Sequence, residues 1–193
     1  MPTPTTSALS LATTRNELDG NDSIDWKSLG DDGDAVDVLE GTNTGKSKNG
    51  LGYTILHPIL CERVTQGKQE RWPGNFKKGD ALVYTLKRVG PITIVFEKPV
   101  RGVGAQIQER FGISKPGGAP FTGIIRAFGN GHTHLVTEEV HGWSDDGTDG
   151  PAIFIGLRCA GDAQIAYIEF DTRPLDPEDL DGDFAINGLS VVL

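Results

Sequence analysis

The sequence predicts an all-β protein, an antiparallel two-sheet β-sandwich of jelly-roll type, and three observations carry that prediction. From Trp72 to Phe128, alternating or β-branched apolar runs are separated by Gly, Pro, Asp and Lys turns, which is the punctuation of strands. The runs Val83-Tyr84-Thr85-Leu86, Ile92-Thr93-Ile94-Val95-Phe96, Val103-Gly104-Ala105-Gln106-Ile107 and Ile124-Ile125-Arg126-Ala127-Phe128 follow too closely for helices between them. Finally, 26 glycines and 11 prolines in 193 residues supply the turns that many short strands need.

Taken in order, residues 1–15 are rich in Thr, Pro and Ser and read as a flexible N-terminal tail, leaving 16–193 as one β-sandwich domain. Asp31 to Gly50 is dense in Asp, Gly, Asn and Lys, a long loop around one short strand near Val36–Leu39. Strands are predicted at Gly52–Leu60, Leu82–Leu86, Pro91–Phe96, Val100–Gln108 and Thr122–Phe128. Four more follow at Leu135–Val140, Ala152–Cys159, Gln164–Phe170 and Phe184–Leu193, enough for two sheets. Asp176–Leu180 suits a single helical turn, because Pro177 fits a first helical position.

A net charge of -9 repels phosphate backbones and anionic lipid surfaces, so neither nucleic acid nor membrane is an expected partner. No stretch approaches the roughly 20 apolar residues of a membrane helix, and Met1–Thr14 lacks the basic start and apolar core of a signal peptide. Cys61 and Cys159 fit either a disulfide or two buried small apolar residues. Asn21-Asp22-Ser23 is a formal glycosylation acceptor.

Several motifs bear on chemistry. Glu40 to Ser47 ends in Gly45-Lys46-Ser47, but Glu40 stands where a phosphate loop needs its first glycine, and Lys48-Asn49-Gly50 cannot open the helix that would hold the phosphate. His132, His134 and Glu138 would share one face of an extended strand, and two imidazoles with a carboxylate can hold a transition metal. Their spacing resembles the first metal motif of cupins, with His141 as an acid-base candidate. The turn signal Asn130-Gly131 competes with that reading, because it makes these residues polar groups of an exposed hairpin. Three acidic clusters, Asp31/Asp32/Asp34, Asp145/Asp146/Asp149 and Asp179/Asp181/Asp183, lie in loops of the kind that calcium uses, and solvated acidic turns are the competing reading. Trp143, beside Ser144-Asp145-Asp146, is the candidate stacking platform for a sugar ring, with Asp145 and Asp146 orienting hydroxyls. Trp26 and Trp72 read as core, and no serine or cysteine has the neighbours of an activated nucleophile.

Asp22-Ser23-Ile24-Asp25-Trp26, Trp72-Pro73-Gly74-Asn75-Phe76, Gly90-Pro91-Ile92 and Asp183-Phe184-Ala185-Ile186-Asn187 stand in an order that resembles a family of uncharacterised bacterial proteins. Many of its members carry a C-terminal PEP-CTERM surface-sorting tail, which implies an extracellular or cell-surface location. The last block also looks like the final strand of jelly-roll carbohydrate-binding modules. That likeness implies a structural calcium near Asp183 and Asn187 and a carbohydrate or cell-surface polymer as ligand. The expected function is therefore non-catalytic ligand binding. A cupin-like metal-dependent enzyme and a structural surface protein are the alternatives.

Overall fold

The computed structural model describes residues 8–30, 37–39, 42–56, 61–67, 72, 74–85, 90–110, 118–145, 152–175 and 183–193. In chain order the elements are β1 (Leu9–Ala12), α1 (Arg15–Leu18), β2 (Asp22–Ile24), β3 (Asp37–Leu39), β4 (Thr42–Lys46), β5 (Gly52–Leu56) and β6 (Cys61–Thr65). They continue with β7 (Ala81–Thr85), β8 (Ile92–Val100), β9 (Gly102–Glu109), β10 (Ala119–Phe128) and β11 (His134–Ser144). The last four are β12 (Ile153–Cys159), β13 (Ile165–Pro174), β14 (Phe184–Asn187) and β15 (Leu189–Val192).

The strands form two antiparallel sheets, as the sequence predicts. The smaller has six strands in the order β11-β10-β13-β8-β5-β4. The larger has nine, running β1-β12-β9-β14-β7-β6-β3, with β15 beside β9 and β2 beside β15. Ile92, Ile94, Ile125, Ile168 and Phe170 from the smaller sheet meet Val103, Ile107, Ile155, Leu157 and Ile186 from the larger in one buried core. The period-2 alternation of β8 is therefore literal, with Ile92, Ile94 and Phe96 inward and Thr93 and Val95 outward.

Alternation disappears in β7, where all five residues are buried, because both faces of the strand are covered. Val83 faces the sandwich core, while Leu82 and Tyr84 join Val64, Trp72, Phe76, Ala152 and Ala185 in a second apolar cluster. Trp72 and Phe76 thus cover the outer side of the larger sheet. Trp26 and Trp72 are both buried, as expected. Cys61 and Cys159 are buried and not joined by a disulfide, and burial pushes the Cys61 thiol up to about 12.

Three differences from the sequence reading have plain causes. Within the segment expected to be tail, Leu9–Ala12 adds β1 to the free edge of β12, with Leu11 opposite Leu157. Next to it Thr14 and Glu17 form a capping box, so Arg15–Leu18 is helical rather than tail. The C-terminal strand is broken at Gly188. Ile186 pairs with Ile107 but Ser190 with Gly104, so one extra residue bulges out there. The Asn187 side chain repairs the ladder by accepting from the Gln106 backbone N–H at 2.9 Å. The predicted turn at Asp176–Leu180 lies outside the described residues.

Candidate functional site

Trp143 stands on β11, an edge strand of the smaller sheet, opposite Pro120 of β10. At 52% exposure it is the most exposed large apolar side chain among the described residues. Its neighbour Ser144 points inward and donates to the Glu109 carbonyl at 2.5 Å, which fixes the outward direction of residue 143. Gly118 makes room for the indole. Its φ of +85° is a glycine conformation, and a Cβ there would lie 2.0 Å from the Ser144 carbonyl oxygen and 2.7 Å from Trp143 Nε1. Two residues back on the same face, His141 Nδ1 lies 3.2 Å from the Thr122 hydroxyl of β10.

The strand end is anchored from below by a buried amide network. Gln108 of β9 is fully buried; its Oε1 accepts from the Asn75 backbone N–H at 2.8 Å and from the Trp72 indole N–H at 3.4 Å. Its Nε2 donates to Asn75 Oδ1 and, at 3.1 Å, to the Asp145 carbonyl. Asn75 Nδ2 donates to Asp145 Oδ1 at 2.7 Å, and Asn75 Oδ1 accepts from the Asp145 N–H at 3.2 Å. Asp145 is thus half-buried and held by Asn75, which fixes the end of the strand that carries Trp143. Asp146 lies outside the described residues.

The metal expectations fare differently. His132, His134 and Glu138 do not converge, and among the described residues no group of three or more His, Cys, Asp or Glu side chains is placed to hold a metal ion. The physical reason is the Asn130–His132 turn. His132 leaves the extended conformation at φ 64°, so the period-2 alignment ends before it. Its Nδ1 instead lies 3.0 Å from the Tyr167 hydroxyl, while His134 Nε2 lies 2.8 Å from Thr137 Oγ1.

Asp183 and Asn187 are separated by about 13 Å of strand. The Asp183 carboxylate lies 4.0 Å from Arg110. The Asn187 amide oxygen accepts from Arg15 at 2.9 Å. Arg15 also donates to Ser190 Oγ and the Gly188 carbonyl, tying α1 to the bulge. Burial lowers the Arg15 pKa, and Asp80 opposes that shift. Asp31, Asp32, Asp34, Asp149, Asp179 and Asp181 fall outside the described residues.

Two structural groups escaped the sequence reading. Asn75 and Gln108 are buried amides, and their signal is an amide-bearing residue inside an otherwise apolar or glycine-rich run. Ser47, which ends the phosphate-loop look-alike, is also explained: its hydroxyl donates to the buried Asp22 carboxylate, whose other oxygen accepts from Ser23 and Asn49 N–H groups.

Fold and site together define a two-sheet antiparallel β-sandwich with an exposed aromatic platform at one edge. No family model matches the sequence, and no curated protein matches it. Among solved structures, the chain is similar to a DUF4465 family protein from Bacteroides caccae ATCC 43185, with a TM-score of 0.52 and 10% identity over 88% of this chain and 98% of that one. At that identity the likeness concerns the fold alone. The enzymatically active domain of bacteriophage CBA120 tailspike protein 4 aligns with a TM-score of only 0.23 at 9% identity, over 81% of this chain and 18% of that one, too low to argue from.

Proposed function

We propose that this protein is a non-catalytic ligand-binding β-sandwich whose ligand is a carbohydrate or cell-surface polymer. The carrying observation is Trp143, a 52% exposed indole held in a fixed direction by Gly118, Ser144 and the Asn75–Gln108–Asp145 network. An exposed aromatic normally costs solubility. Built on a braced strand end, it instead offers a rigid apolar plane for the C–H face of a sugar, with the exposed His141 two residues back beside it for hydroxyls. A surface location fits this reading.

The test is titration calorimetry of the protein and its Trp143→Ala variant against polysaccharides identified on a glycan array. Loss of binding with an unchanged melting temperature supports the reading, and equal binding by both proteins removes Trp143 from the site. Elemental analysis of protein purified without a metal-affinity tag tests the structural calcium separately, since stoichiometric calcium would add it to the proposal.

A further inference from the structure

The outward face of the smaller sheet carries a depression of about 500 Å³ on β4, β5 and β8, at the edge opposite Trp143. Strand register defines its floor. Thr44 is opposite Thr54, Thr54 is opposite Val95, and Val95 is opposite Tyr167. Ile55, Ile94 and Ile168 point into the core, so this row points the other way. Gly52 makes room for the Glu97 side chain, since a Cβ there would lie 2.5 Å from the Glu97 carboxylate that leans over it as one rim. Lys46, opposite Gly52, forms the other rim.

The flank beyond Val95 is aromatic. Tyr167 stacks on Phe128 with ring centroids 4.4 Å apart, and His132 reaches over from its turn to the Tyr167 hydroxyl. Burial raises the Tyr167 pKa, with Glu169 adding to the rise.

We infer that this depression is a second saccharide site, selective for neutral sugar units. The inference rests on the carbohydrate reading above. The volume falls within the range of about 300–1,000 Å³ typical of small-molecule sites. A sugar ring has apolar C–H faces and a polar rim; Val95 suits the first, and the hydroxyls of Thr44 and Thr54, each donor and acceptor, suit the second. Lys46 supplies only donors and Glu97 only acceptors, and their charges cancel, so nothing here favours an anionic unit over a neutral one. By strand geometry Trp143 lies about 27 Å away along the strands and about 19 Å across them. The two sites therefore hold different segments of one polymer, and their joint effect is avidity.

The experiment is a chemical-shift titration of isotope-labelled protein with cellohexaose, laminarihexaose, maltohexaose, xylohexaose, mannohexaose and acidic oligouronides, in wild type and in Trp143→Ala. At least one hexaose should move the amides of Thr44, Thr54 and Val95 equally in both proteins. Thr54→Val combined with Glu97→Ala, both changes at the surface, should then weaken that binding about tenfold or more. The inference is overturned if hexaoses perturb only the Trp143 end, if the shifts survive the double variant, or if only acidic oligouronides move these amides. Shifts here with no effect of Trp143→Ala on any binding would sustain this site and sink the Trp143 reading. No response to any hexaose or polysaccharide would sink both.

Discussion

Replacing Gln108 with methionine tests whether the buried amide network is what braces the platform. The two side chains have similar length and shape, so the change removes hydrogen bonds while leaving little void. Two buried donors lose their acceptor, the Asn75 backbone N–H at 2.8 Å and the Trp72 indole N–H at 3.4 Å. A stranded buried donor costs about 1–3 kcal/mol, so the pair costs about 2–6 kcal/mol, which the thioether's added apolar burial offsets by roughly 1 kcal/mol. The expected loss is about 3 kcal/mol, or roughly 6–12 °C in melting temperature for a chain of this size. Urea unfolding followed by tryptophan fluorescence measures it, with Asn75→Ala and the double variant completing a cycle. Because both residues belong to one network, the double variant should cost clearly less than the sum of the singles. A loss under about 1 kcal/mol with an unchanged denaturant slope, or strict additivity, would refute the network argument.

Further outcomes follow from single contacts. Trp143→Ala should change stability by less than about 0.5 kcal/mol, since half the side chain is already in water, while lowering affinity for a verified glycan about tenfold or more. Gly118→Ala places a Cβ 2.0 Å from a backbone oxygen at φ +85°, so it should destabilise by about 1–3 kcal/mol and weaken the same glycan by displacing the indole. Arg15→Met removes donors to Asn187, Ser190 and Gly188 and should cost about 2 kcal/mol in a denaturant melt; no change would mean that α1 is not tied to the bulge. Glu17 accepts from the Thr13 N–H and hydroxyl and the Thr14 N–H, which holds its pKa below the ordinary carboxylate value. A pKa depressed by folding stabilises above the unfolded value of about 4.3, and that contribution is lost as pH falls through the folded value. A carboxyl titration followed by NMR should therefore place Glu17 below that value, and Glu17→Gln should flatten the corresponding acid limb of stability.

Strand identity was legible because a sandwich strand with one wet face writes its environment as alternation, and the first half of β8 does so plainly. Strand ends were not. β8 runs on to Val100 across a register irregularity at Glu97-Lys98-Pro99, beyond which the ladder resumes with Val100 opposite Ile165, and β11 runs to Ser144 past Gly142 because β10 pairs with it throughout. The capping box Thr14-Arg15-Asn16-Glu17 was written in the sequence, yet one helical turn has too little apolar periodicity to announce itself.

The site divides along the same line. Trp143 could be read from its own neighbours, since an indole beside Ser-Asp-Asp stands at the start of a polar stretch, and the structure leaves it half exposed. The histidine site could not be settled that way. Period-2 spacing places His132, His134 and Glu138 on one face only if the backbone stays extended, and a single residue at φ 64° rotates His132 onto Tyr167, 35 positions away. The amide network lies further still from local reading. Asn75, Gln108 and Asp145 come from three segments, and each looks like an ordinary polar residue until the fold buries the first two and leaves the third to close their hydrogen bonds. Local composition therefore marked the exposed aromatic surface, whereas the parts that hold that surface still are long-range pairings, visible only once the register of β9, β10 and β11 is known.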